Sequence, residues 1–99
     1  MDCLFCKIAN GEIPADIVDE SEDAVAVLDI HPKAPGHVMV LPKTHAETIL
    51  DLPDEKVGGV FLAVKRATEK LAKALSPDGF TLGVNHGKNA GQAIDHLHI

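Results

Sequence analysis

Tryptophan and tyrosine are absent from this 99-residue chain, and Phe5, Phe61 and Phe80 are its only aromatic side chains. A core without large rings must be filled by Val, Leu, Ile and Ala, which the 45% hydrophobic content can supply. Positive charge is also short: 9 Lys and Arg stand against 15 Asp and Glu, a formal balance of −6. That balance lacks the basic stripe of a nucleic-acid binder, although one phosphate group needs only a few local donors. No apolar run approaches the ~20 residues needed to span a bilayer. Met1-Asp2-Cys3 does not open a charged-then-apolar signal peptide. These absences lead to the expectation of a cytoplasmic protein with no nucleic-acid or membrane partner. Cysteine is limited to Cys3 and Cys6. In a reducing compartment such a pair reads as a metal or redox site rather than a disulfide. A disulfide closing so short a loop would also restrain little of the unfolded chain.

What is present reads as one small domain over residues 1–99. Residues 5–9 suit a short helix stopped by Asn10-Gly11, and Pro14 then forces extended chain. Residues 17–19 and 24–30 are strands around a polar turn, Glu20-Ser21-Glu22-Asp23. A Pro/Gly loop over 31–36 leads to a strand at 37–41. Pro53 opens one long helix, with Asp54 and Glu55 at the positive end of its dipole. Val57, Val60, Phe61, Val64, Thr68, Leu71 and Leu75 recur at helical spacing and predict its buried stripe. Gly58-Gly59 weakens that helix by roughly 1 kcal/mol per residue relative to Ala, for no reason visible in the sequence beyond close packing. Ser76-Pro77-Asp78-Gly79 ends it. Alternation over 80–85 predicts a half-buried strand, residues 87–91 a Gly-containing loop, and 94–99 a last strand. Strands, one long helix, then strands again point to an α+β fold with an antiparallel sheet and a short N-terminal helix.

Two constellations carry chemistry. His96 and His98 would share one face of the last strand, with ring attachment points roughly 6.5–7 Å apart. Imidazole near neutrality offers an unprotonated, nucleophilic ring nitrogen, but two histidines at a chain end are also commonplace. Cys3-x-x-Cys6 is ambiguous between zinc, redox chemistry and chance. A closed zinc site needs four ligands, and His45 and His96 are the natural completions.

Taken together, the segments resemble a known family. Cys3-Leu-Phe-Cys-Lys-Ile-Ala-Asn-Gly-Glu-Ile-Pro14, Leu28-Asp-Ile-His-Pro-Lys-Ala-Pro-Gly-His37, Leu41-Pro-Lys-Thr-His45 and Val84-Asn-His-Gly-Lys-Asn-Ala-Gly-Gln92, leading to His96-Leu-His98, look like a histidine triad (HIT) protein of the small nucleotide-binding hydrolase branch. The resemblance covers the whole chain in order. The family's third histidine would fall one position beyond Ile99, so the C-terminal end of the domain is expected to be missing. Ala93 stands where many relatives carry a small hydroxyl residue.

The resemblance implies a HIT-like fold, a homodimer, and hydrolysis of a purine nucleotide (AMP- or GMP-like) phosphoramidate or related phosphoanhydride. It makes His98 the nucleophile that forms a nucleotidyl-histidine intermediate. Asn85, Gly91 and Gln92 would join it around the phosphate, with loop N–H groups as further donors. Asp29 would accept the ribose hydroxyls, Leu28 and Ile30 would flank base and sugar, and His37 would lie near the triad. In many microbial relatives Cys3, Cys6, His45 and His96 correspond to a structural zinc set. The alternatives are a zinc-stabilised nucleotide-binding protein without turnover and, further off, a zinc or redox module whose histidines are only ligands.

Overall fold

The computed structural model describes residues 3–29, 36–92, 94 and 96–99. Helix α1 spans Leu4–Ala9, strands β1, β2 and β3 span Ile17–Glu20, Ala24–Leu28 and Val38–Pro42, and helix α2 spans Asp54–Leu75. The three strands form an antiparallel sheet in the order β1-β2-β3. This is the expected α+β arrangement with one long and one short helix. No helix of the described residues is long and apolar enough to cross a membrane. Ile30 and Ala93, both singled out above, lie outside the described residues.

The turn between β1 and β2 is built by Ser21. Its hydroxyl accepts from the N–H groups of Asp23 and Ala24, and its own N–H donates to the Ala24 carbonyl at 2.9 Å. Such side-chain capture of local amides is why a polar cluster breaks a strand here. Central strand β2 is buried on both faces. Val25 and Val27 pack with Leu41 against Phe5 and Ala9 of α1. Ala24 and Ala26 pack with Val40 against Ala63, Val64 and Ala67 of α2.

That small-on-small contact corrects the expected helix stripe. The buried residues of α2 are Val60, Ala63, Val64 and Ala67, whereas Phe61 and Leu75 are 38% and 48% exposed. The sheet offers alanines, so small helix residues give the closest approach. A reading weighted towards large apolar side chains places the stripe too far round. Gly59 follows the same logic: a Cβ there would overlap the Asp23 carboxylate. The missing side chain lets the β1–β2 turn rest on the helix, where Lys56 Nζ lies 3.8 Å from Asp23.

The predicted strand over 80–85 is not formed among the described residues. These residues are mostly exposed, with Phe80 and Leu82 turned to solvent. Alternation marks a face, but a strand also needs a partner edge. The outer edge of β3 is already engaged by the 96–99 segment: Val40 and Ile99 exchange both backbone hydrogen bonds, at 2.8 and 3.1 Å. The last segment therefore runs beside β3, but among the described residues of the expected strand over 94–99 this one pair is formed and no strand.

Sheet and helix are also tied by charge. The Asp19 side chain is buried in β1, with Arg66 Nη2 at 3.1 Å and Lys70 Nζ at 2.8 Å from its Oδ1. Hydrogen bonding from Lys70, with Arg66 adding charge, holds the Asp19 carboxyl below its ordinary range. A depressed folded-state pKa contributes stability above the unfolded value and loses it as pH falls through the folded one. Asp19→Asn should therefore lower the unfolding free energy by about 2 kcal/mol near pH 7, the scale of hydrogen bonds to a charged group. The difference from the parent should shrink as pH falls through the ordinary aspartate range and below. Urea titrations of both proteins across that range check this.

Candidate functional site

Four ligand atoms converge at one end of the sheet. Cys3 and Cys6 flank the first turn of α1, His45 follows β3, and His96 precedes the final backbone pair. Their sulfur and nitrogen atoms all lie within 4.8 Å of one another. Cys3 Sγ and Cys6 Sγ stand 3.2 and 3.3 Å from His96 Nδ1, Cys6 Sγ is 3.1 Å from His45 Nδ1, and the two Nδ1 atoms are 3.1 Å apart. Folding places them so because Cys3 also caps α1, its sulfur accepting the Cys6 N–H. The thiols thereby share the helix end that faces the histidines.

Tautomer chemistry decides what the cluster can do. His96 is fully buried, and its Nε2 sits 3.0 Å from the Pro42 carbonyl. A carbonyl only accepts, so Nε2 carries the proton and Nδ1 presents its lone pair to the thiols. Burial lowers the His96 pKa, which keeps that lone pair free. Burial, with Cys3 beside it, pushes the Cys6 thiol up to about 11. A dication would reverse that preference and deprotonate the thiol. Two sulfurs and two imidazole nitrogens at these separations fit a tetrahedral, zinc-type site, whose bonds run about 2.0–2.3 Å.

His98 stands two residues on, half-buried. Its Nδ1–H donates to the His96 carbonyl at 2.8 Å. That bond assigns the ring proton to Nδ1 and leaves the Nε2 lone pair for a ligand. Leu97 points the other way, into a cluster with Ala46, Leu52 and Val60, and its N–H donates to the Ala46 carbonyl at 2.6 Å. The alternation expected of this segment is therefore present.

His98 lines an open cavity of about 810 Å³ between α2, β3 and residues 77–85. Asp29, His37, Asn85 and Gly91 line it too. His37 Nε2 lies 3.5 Å from Asp29 Oδ2, and the Asp29 N–H donates to the His37 carbonyl at 3.0 Å. The Asn85 amide packs beside Gly91, which holds a left-handed φ of 94°.

Two expected features are arranged differently. Leu28 ends β2 41% exposed and does not line the cavity. Gln92 is buried and its amide is spent on the chain itself. Oε1 accepts from Gly87 N–H at 2.7 Å, and Nε2 donates to the carbonyls of Glu47 and Ile94. The loop amides are likewise engaged. Ala90 and Gln92 donate to the Gly87 carbonyl and Gly91 to that of Lys88. The loop is a turn braced by Gln92, with the amides of Gly87, Ala90, Gly91 and Gln92 spent on the chain itself. One residue with a place in the site escaped the sequence reading. Phe5 lies edge-on to both histidine rings, with centroids 6.1 Å from His96 and 5.0 Å from His98. Its scarcity as an aromatic, between the two cysteines, was the available signal.

The chain is similar to known proteins along nearly all its length. A model of the HIT domain matches residues 10–99. The adenosine 5′-monophosphoramidase hnt1 of Schizosaccharomyces pombe is 39% identical over the whole chain, which spans 71% of that protein. The crystal structure of a HIT family member from Bacillus subtilis superposes with a TM-score of 0.94 at 38% identity, covering 99% of this chain and 70% of the other. A zinc-bound histidine triad family protein from Mycobacterium smegmatis gives a TM-score of 0.90 at 37% identity, covering 99% and 71%. The matched domain, these identities and the shared architecture establish that the chain belongs to the HIT family.

Proposed function

We propose that the chain is a purine nucleotide hydrolase that cleaves a nucleotidyl phosphoramidate or related phosphoanhydride bond through His98. The observation that carries this reading is the His98 ring. A donated Nδ1–H fixes its neutral tautomer, in which Nε2 carries the lone pair, and the ring lines a cavity that Asp29, His37, Asn85 and Gly91 share. A nitrogen lone pair held in one orientation is a ready nucleophile. In the reaction Nε2 bonds to the α-phosphorus, and the bond to the leaving nitrogen or oxygen breaks. The departing group keeps that electron pair and takes a proton from water. A second water then attacks phosphorus, the P–Nε2 bond breaks, and a proton leaves to solvent. The activity carried in the name of the fission-yeast relative supports the phosphoramidate substrate.

Asp29 is the ribose acceptor in this reading, with His37 orienting its carboxylate, and Leu28 and Ile30 lie beside the nucleoside. Asn85 and Gly91 face the phosphate, and Gln92 shapes the loop from behind. Cys3, Cys6, His45 and His96 hold one structural zinc ion, which joins α1 to the strand end carrying His98. The two free thiols suit the reducing cytoplasm. Phe61 and Leu62, exposed on the outer face of α2, suit pairing of two copies into a homodimer. Binding without turnover is the second reading. It is favoured by the engaged amides of Ala90, Gly91 and Gln92, which are not offered to charge developing on phosphate.

Three measurements test these assignments. Calorimetry should find AMP bound more tightly than 2′-deoxy-AMP by about tenfold or more, the scale of a lost hydrogen bond to a charged acceptor; equal affinities remove Asp29 from the site. Metal analysis of protein purified without added zinc should find one equivalent, and chelation should lower the melting temperature. A folded, zinc-free preparation that zinc does not stabilise refutes the metal assignment. His98→Ala should reduce hydrolysis of an adenosine phosphoramidate to background and abolish trapping of the nucleotidyl-enzyme on rapid quenching. Full activity in that variant overturns the nucleophile. Tight AMP binding by the parent with no turnover selects the second reading.

A further inference from the structure

We propose that Phe5 is a positioning residue for His98. This rests on the reading of His98 as the nucleophile. The ring of His98 has two side-chain torsions to fix, and one hydrogen bond, from Nδ1 to the His96 carbonyl, does not fix both. Phe5 supplies the second restraint. Its ring centre lies 5.0 Å from that of His98 with an interplanar angle of 79°, an edge-on aromatic contact. Phe5 is only 6% exposed and packs with Cys3, Ala9, Val25, Val27 and Leu41, so it is a firm wall rather than a mobile neighbour. It meets the His96 ring as well, at 6.1 Å and 80°.

The place of Phe5 in the chain gives this contact a further meaning. It lies between Cys3 and Cys6, whose sulfurs converge with His45 and His96. The four-residue cluster therefore reaches His98 by two routes. One runs through the His96 backbone carbonyl, the other through the first turn of α1 and the face of Phe5. Replacing the aromatic ring by an aliphatic side chain that fills the same apolar space leaves the nucleophile hinged on a single hydrogen bond. The imidazole then samples rotamers and tautomers in which Nε2 no longer holds one direction. A displacement of about 1 Å at a reacting atom can cost roughly a hundredfold in rate.

The test compares the full chain with Phe5→Leu and Phe5→Met, after metal analysis and thermal melts show equal metal content and folding. Two-bond proton–nitrogen spectra read the His98 ring directly, whether or not the protein turns over. The parent should show a single Nδ1–H tautomer. The variants should show a mixture with the Nε2–H form, which free imidazole side chains favour. With adenosine phosphoramidate, kcat should fall about tenfold to a hundredfold while KM stays within about twofold, the pattern of lost nucleophile placement rather than lost binding. An Nε2–H parent ring overturns the proposal at once, even if neither variant folds. An unchanged tautomer in the variants also overturns it, as does a rise in KM alone, which would place Phe5 against the substrate. A parent with the expected tautomer, variants that lose it, and no turnover in any of them would sustain the positioning of the ring and defeat the hydrolase reading instead.

Discussion

The convergence of Cys3, Cys6, His45 and His96 is the constraint on which the rest of the site depends. It joins residues up to 93 positions apart in sequence, and closing so long a loop costs chain entropy that scattered apolar contacts at the end of a small sheet would repay poorly. His96 is its pivot. One ring nitrogen faces the thiols, the other bonds the Pro42 carbonyl on β3, and its backbone carbonyl receives the His98 ring. The same residue thus belongs to the cluster, the sheet and the anchor of the His98 ring. Local disorder at any of these three would be felt by the other two.

The sheet explains why this coupling can be stiff. Central strand β2 has no solvent face: valines meet α1 on one side and alanines meet α2 on the other. The two helices are therefore not independent. Helix α2 is drawn close by Ala24 and Ala26 and pinned at β1 by Asp19, while α1 presses the opposite face with Phe5. Interiors this closely packed transmit displacement rather than absorb it. A shift of α1 would move a ring that touches both histidines.

Much of this was legible in the sequence, and for physical reasons. Local chemistry marked the Ser21 turn, the Asn10-Gly11 stop, and the start of the long helix at Pro53 with its end at Ser76. Each of those signals acts within a few residues. The Cys-x-x-Cys pair called for two more ligands and suggested His45 and His96, but it was the family resemblance that joined the set to His98, because spacing alone does not say which distant side chains meet. Failures came where partner geometry decides. Residues 80–85 alternate well, yet form no strand among the described residues. Gly59 looked like a defect until Asp23 was seen resting on it. Gln92 is expected at the phosphate, and the three backbone groups that its buried amide braces could not be read from its position in the sequence. Asp19 carried no signal at all, since its partners lie 47 and 51 positions away in the helix.

The Pro42 carbonyl has a consequence for how the final segment finds its place. A histidine at every second position gives a strand translational symmetry: sliding by one pleat puts His98 where His96 was and leaves the pattern of faces unchanged. Hydrophobic patterning guards against slips of one residue but is blind to slips of two. The imidazole proton on Pro42 and the paired sulfurs beyond it remove that ambiguity, because together they form a socket for one histidine and offer nothing equivalent to the next. The socket thus acts as an index mark, selecting which of two chemically identical rings is buried and which is left half-open beside the cavity.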